Sequence, residues 1–323
     1  MANEPGWSKD PHAPIPFKYE KMLEQVEDLR AAVSSGKMSK RAFREEVSLR
    51  CGVGGHSGNV LFQIIRRDTP RIVRSVGGQV HLVVGDAHAA PGQNLERFSL
   101  LGRMVRDLRP DVVVVIGDWA DMPALSHYDK GKKSFEGRRY TEDIKASNEA
   151  LRLFHEEIGD DPPRLVYCEG NHEHRIERAA NDSPGLDMMG LHDLDFERRG
   201  WEIYRFKTPA TIDGVNYCHY FTSQNTDRAI SGVTAGGSLV NKKYMTCVVG
   251  HSHLLNHFTT TAGDRRLHGL VVGWYCDVFK DYAGQSNTGW WAGICVLRDV
   301  KDGDFDLELW SMARIKKTWS ALD

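Results

Sequence analysis

The chain is expected to be an α/β protein built on a sheet with crossover helices, followed by a second sheet. Two observations carry this. From Val80 to Cys168 short β-branched runs alternate with long amphipathic stretches, the pattern of strands joined by crossover helices. From Trp201 to Trp310 strand-like pieces dominate instead, which predicts a second sheet stacked on the first.

Composition sets limits on class. The chain has 323 residues, enough for one large α/β domain or a mid-sized domain with a small accessory one. Its mean hydropathy is −0.45, and no apolar run approaches the roughly 18 residues needed to cross a bilayer. The opening residues, Met1 to Trp7, lack a basic region followed by an apolar one, so no signal peptide is expected. The six cysteines (51, 168, 218, 247, 276, 295) form no Cys-x-x-Cys pair. Cys168, Cys218, Cys247 and Cys295 sit in apolar runs, where reduced thiols act as small core residues; a cytoplasmic location is expected. Charge is uneven: residues 36–74 hold nine Lys or Arg against three acids, on a chain of net charge −2. Such a segment suits a polyanion.

In chain order, the Pro-rich residues 1–16 predict an extended arm. Phe17 to Ser34 reads as a helix with Leu23, Val26, Leu29 and Val33 on one face, ended by Gly36. Ser39 and Ser57 are expected to cap two short helices around the turn Gly52 to Gly55, with Phe43 and Val47 facing Leu61, Ile64 and Ile65. This predicts a small N-terminal helical segment, 1–75, basic and helix-turn-helix-like, displaying Asn59, Gln63 and Arg66 to DNA. A solvated helical cap is the plain alternative. The Gly-rich turn matches no nucleotide-binding loop. The rest, 76–323, reads as the main domain. Its first elements are a strand over Val80–Val84, a helix over Asn94–Leu108, a strand over Val112–Ile116, a polar loop from Asp121 to Arg139, a helix over Thr141–Ile158 and a strand over Leu165–Cys168. The second of these helices should bury Ile144, Leu151, Phe154 and Ile158.

Chemistry concentrates where strands end, the place at which open α/β sheets gather ligands. The strand ends carry Gly85-Asp86-Ala87-His88, Gly117-Asp118-Trp119-Ala120-Asp121, Gly170-Asn171-His172-Glu173, Cys218-His219-Tyr220 and Gly250-His251-Ser252-His253. Carboxylates, an amide oxygen and imidazoles without thiolates suit Mn²⁺, Fe or Zn²⁺ better than Ca²⁺. One ion would take Asp86, His88 and His253, and a second Asn171, His219 and His251, with Asp118 bridging. Two such ions clamp a phosphoryl group and acidify a water between them.

Asp-x-His, Gly-Asp-x-x-Asp, Gly-Asn-His-Glu, a lone His and Gly-His-x-His, in this order, resemble the calcineurin-like metallophosphoesterase family over about residues 79–273. The resemblance implies a four-layer α/β/β/α sandwich of two stacked mixed sheets around a dinuclear metal centre. It implies Asp86, His88, Asp118, Asn171, His219, His251 and His253 as ligands, His172 as the acid protonating the leaving oxygen, and Asp121 as the residue orienting it. Phosphoprotein phosphatases of this superfamily carry Arg-Gly where this chain has Met122-Pro123, which removes a phosphate-binding arginine; Arg175 and Arg178 stand in as the expected phosphate contacts. Tyr220 replaces the Gly usual after the lone His. Gly-Asn-His-Glu-x-Arg and the loop Ser126-His127-Tyr128 look most similar to phage- and prophage-encoded members, which would place the protein in a host cytoplasm. Glu173 and His174 receive no role, and Trp119, Trp274, Trp290 and Trp291 are expected in the core or sheets or stacked on a base.

The expected activity is hydrolysis of a phosphate ester with two divalent ions, most readily Mn²⁺. The favoured substrate is a nucleic acid or nucleotide diester, because of the basic segment. A phosphomonoesterase is the alternative, and a DNA-binding regulator with an inert phosphoesterase domain is a third. No membrane partner is expected, and nothing in the sequence specifies the oligomeric state.

Overall fold

The computed structural model describes residues 17–29, 32–33, 38–54, 57–58, 61–62, 78–186, 188–277, 284 and 288–320. The expected arm 1–16 and the DNA-facing Asn59, Gln63 and Arg66, with Ile64 and Ile65, lie outside them. The chain divides into two compact units: Met1–Arg74 with Arg106–Leu108 and Gly159–Asp161, and the remainder.

In the first unit, α1 spans Phe17–Gln25 and α2 spans Lys40–Cys51. The Ser39 hydroxyl accepts the Ala42 N–H at 3.2 Å, satisfying one donor of the first turn of α2. The expected helix to Ser34 is interrupted after Gln25 by a 3₁₀ turn over Glu27–Leu29, and Ala32 and Val33 are again helical. Its apolar stripe is nonetheless buried: Leu23, Val26, Leu29 and Val33 join Tyr19, Phe43, Val47, Leu61 and Phe62 in one core. Part of the basic charge is paired locally, since Arg50 meets Asp28 at 2.6 Å and Glu46 at 2.7 Å.

The second unit is the α/β sandwich. Its first sheet has the order β11-β10-β1-β2-β3-β4, where β1 is Gln79–Val84, β2 Val112–Val115, β3 Arg164–Cys168, β4 Glu202–Tyr204, β10 Gly293–Lys301 and β11 Asp304–Ser311. β1 to β4 run parallel, and β10 pairs antiparallel with both β1 and β11. The second sheet has the order β5-β6-β7-β9-β8, from Ala210–Ile212, Val215–Tyr217, Cys247–Val249, Arg265–Val272 and Leu255–Ala262.

Strand alternation sets the core. Val112, Val114 and Ile116 point toward the second sheet and pack with Val166, Tyr217, Val248 and Leu270, while the equally buried Val113 and Val115 take the opposite face. That outer face lies under α3 (Glu96–Leu108) and α4 (Tyr140–Ile158), whose Phe98 and Phe154 flank the Trp119 ring at 4.6 and 6.3 Å. α5 (His174–Asp182) follows β3. α6 (Ala235–Lys243) covers the second sheet, its Leu239 packing with Cys247, Val249 and Val271. α7 (Met312–Trp319) returns to the layer of α3, where Arg103 donates to the Trp319 carbonyl at 3.1 Å. Two mixed sheets between helical layers are the four-layer α/β/β/α sandwich.

The structure corrects several details. β4, β10 and β11 extend the first sheet rather than the second, because β3 and β1 each have an edge free to pair and local composition does not say which strand takes it. The helices α5, α6 and α7 were not expected. In α4, Asp143 and Ser147 are buried where Ile144 is only half-buried, since the Asp143 carboxylate turns inward to accept the Ala124 N–H at 2.9 Å. The six cysteines are free thiols, all buried except the half-exposed Cys51.

Candidate metal centre

Five chain segments leave the strand ends and converge. The loops after β1 and β2 are tied together, with Ala87 and His88 N–H both donating to the Asp118 carbonyl at 2.9 Å and Asp121 N–H to the Ala89 carbonyl at 2.9 Å. Two glycines permit the approach of the carboxylates. A Cβ on Gly170 would lie 2.2 Å from Asp118 N and Oδ1, and one on Gly250 would lie 2.3 Å from Asp86 Oδ1. His88, Asp118, His251 and His253 all have left-handed backbone, φ between +48° and +68°. Non-glycine residues adopt it at a cost of about 1–3 kcal/mol each, and such strain gathers where function requires it.

The side chains form two adjacent clusters, Asp86 with His88 and His253, and Asp118 with His219 and His251, and His88 also meets Asp121 and His172. In the first, His88 Nε2 and His253 Nε2 face each other at 3.1 Å. Asp86 is fully buried; its Oδ2 lies 2.8 Å from His253 Nε2 yet makes no hydrogen bond. In the second, His219 donates Nδ1–H to the Ile116 carbonyl at 2.8 Å, which turns Nε2 toward the site. That nitrogen lies 2.9 Å from Asn171 Oδ1, 3.2 Å from His251 Nδ1 and 3.4 Å from Asp118 Oδ2.

Electrostatics call for positive charge here. Despite burial, the neighbouring His253 and His219 hold Asp86 down at about 2. Asp118 is likewise held well below the carboxylate range: His172 and His219 outweigh its burial. Burial resists charge on His219, but Asp118 and Asp86 draw a proton onto it and lift its pKa to about 10. Burial lowers His88 and His251 to about 4, leaving neutral rings, the form that ligates metals. An orphaned carboxylate oxygen, opposed ring nitrogens and two buried carboxylates fit divalent cations. Asp86, His88, His253 and Asp118 would hold one ion, and Asp118, Asn171, His219 and His251 another.

His172 stands beside these clusters. Its N–H donates to Asp118 Oδ1 at 2.9 Å and its ring Nδ1 to the Asp121 carbonyl at 2.6 Å. Burial opposes its charged form, yet the Asp118 carboxylate and a bond to Asp121 outweigh burial and raise its pKa. The Asp121 carboxylate is divided, 2.9 Å from His88 Nδ1 and 3.3 Å from His172 Nδ1. Arg175 turns inward, donating to His172 Nε2 at 2.9 Å and to the carbonyls of Asp121 and Met122 at 2.9 and 3.2 Å. His172 Nε2 therefore carries either this bond or a proton, not both. Arg178 is exposed on α5.

Glu173 went unassigned in the sequence, where nothing marks its burial. It is 1% exposed, and its carboxylate accepts N–H groups from Asp118 (3.0 Å), Ala120 (2.7 Å) and Gly170 (3.1 Å), joining the two loops that carry Asp118, Asn171 and His172. Burial and the Asp118 charge push its pKa up to about 7, against these donated bonds. Glu173→Ala leaves three buried donors without an acceptor, each worth about 1–3 kcal/mol. A loss of roughly 3 kcal/mol or more of stability is expected in denaturant unfolding; an unchanged midpoint would contradict it.

Of the four tryptophans singled out above, Trp119 is a core residue, Trp274 is buried and stacked on His253 at 5.2 Å, and Trp291 packs on the inter-sheet core. Trp290 is half-buried, its ring 4.2 Å from His253, and the half-buried Tyr220 ring lies 4.8 Å from His251.

Two stacked mixed sheets with imidazole–carboxylate clusters at their strand ends define a metal-dependent hydrolase of phosphate esters. The chain belongs to the calcineurin-like phosphoesterase family, whose model matches residues 81–269. The family depends on a dinuclear metal centre. Among solved structures, the chain is similar to wild-type Vps29 from Entamoeba histolytica complexed with Zn²⁺ (13% identity, 72% of this chain and 98% of that one, TM-score 0.31). A second structure is 12% identical, over 72% of this chain and 99% of the other, with a TM-score of 0.32. No curated protein matches. No helix among the described residues is long and apolar enough to cross a membrane.

Proposed function

We propose that the protein hydrolyses a phosphodiester of a nucleic acid or nucleotide, with Mn²⁺ the favoured metal and Fe or Zn²⁺ compatible with the same donors. The observation that carries this is the pair of adjacent clusters, Asp86 with His88 and His253 and Asp118 with His219 and His251, with His172 beside them. Bound there, divalent ions would supply Lewis acidity toward phosphoryl oxygens and make water more acidic near neutral pH.

The chain's own residues do the rest. Asp118 would bridge the two ions and, by accepting the His172 N–H, holds the loop that carries the acid. His172 delivers a proton from Nε2 to the leaving oxygen once Arg175 turns away, and Arg175 then meets the phosphate it was freed to bind. Asp121 steadies both His88 and His172. The half-buried Trp290 and Tyr220 flank the two clusters, and an aromatic ring beside a phosphoryl site suits a base. The basic N-terminal unit supports a polyanionic substrate such as DNA.

The test compares Mn²⁺-loaded protein on bis-p-nitrophenyl phosphate and p-nitrophenyl phosphate. Faster turnover of the diester is expected; turnover of the monoester alone would favour a phosphomonoesterase and overturn the substrate assignment.

A further inference from the structure

A separate set of donors lies just behind the metal-centre loop. Glu169, at the end of β3, is 1% exposed, and its Oε1 accepts no hydrogen bond. Its other oxygen accepts the Phe206 N–H at 3.0 Å and lies 3.3 Å from the Arg205 guanidinium. Across from Oε1, at 3.5 Å, is His174 Nδ1, a buried nitrogen that also makes no hydrogen bond. The same nitrogen is 3.2 Å from Glu177 Oε2, one turn further along α5. Phe206 stacks on the imidazole at 4.4 Å and fixes its plane. Arg205 closes the remaining side by contacting Glu177.

These separations suit a bound ion. Ligands held about 2.0–2.1 Å from a tetrahedral ion stand roughly 3.3 Å apart. Two carboxylates and one imidazole are donors for a first-row divalent cation. A buried oxygen and a buried nitrogen that face each other without a hydrogen bond are what such an ion would satisfy.

We propose that Glu169, His174 and Glu177 form a further divalent-cation site of the zinc type, with Arg205 as the counter-charge the ion displaces. Arg205 and Glu177 are 50% and 38% exposed in their side chains, which leaves an entry path from solvent. An ion there would pin the end of β3 to the first turn of α5, on either side of Gly170, Asn171 and His172. It would set the position of the metal-centre loop without touching substrate.

The test is metal stoichiometry of the full-length protein, stripped with chelator and dialysed against Zn²⁺. Wild type is expected to hold about one equivalent more than either His174→Ala or Glu177→Gln. Asp118→Asn should keep that equivalent while losing ions from the other two clusters, which separates this site from the catalytic one. Arg205→Ala should fill it at lower free Zn²⁺. Equal stoichiometry in wild type and both site variants would overturn the proposal, as would loss of the extra equivalent in Asp118→Asn.

Discussion

Asp118→Asn is expected to strip metal from both clusters and lower turnover by more than 100-fold. Asp118 Oδ1 accepts the His172 N–H at 2.9 Å, and Oδ2 faces His219 Nε2 at 3.4 Å. An asparagine must keep its carbonyl oxygen on the His172 N–H, because an amide NH₂ there would oppose a donor. The amide nitrogen then points at His219 and cannot ligate. Residues merely supporting a ligand already cost about 10–100-fold when removed, so a bridging ligand should cost more. Elemental analysis beside turnover checks this. Normal metal content with normal turnover would mean the two clusters do not share Asp118.

His172→Ala should keep its metal and lose turnover by roughly 10²–10⁴, the range for a general acid. The ring is aimed by the Asp121 carbonyl at 2.6 Å, and its Nε2 is 3.7 Å from Asp118 Oδ2; it meets His88 and Asp121 but belongs to neither the Asp86 nor the Asp118 cluster. Its raised pKa favours the protonated form that donation requires. Metal loss in this variant would make His172 a ligand, and a substrate with a far better leaving group should recover much of the lost rate. If the defect were the same for all leaving groups, proton donation would not be the role.

These two residues also show how much was legible beforehand. Gly-Asp, Gly-Asn-His and Gly-His-x-His at the ends of apolar runs are local signals, since a buried strand and the glycine that ends it are adjacent in the chain. The set Asp86, His88, Asp118, Asn171, His219, His251 and His253 was therefore named from sequence, and the structure brings all seven side chains together. Glu173 was not, because its value lies in three N–H groups, two of them more than 50 residues away. Nothing in a lone glutamate announces that it is buried.

What the sequence determined by itself was the strand–helix alternation, the buried stripes and the order of the candidate metal ligands, all of which depend on neighbours within a few positions. Tertiary structure alone decided which sheet takes β4, β10 and β11, how Asp121 divides between His88 and His172, that Arg175 turns onto His172, and that Glu169 meets His174 and Glu177. The physical reason is common to them. Edge pairing and the meeting of charged side chains depend on how distant segments are brought together, and in the strands a shift of one residue would turn every side chain to the opposite face.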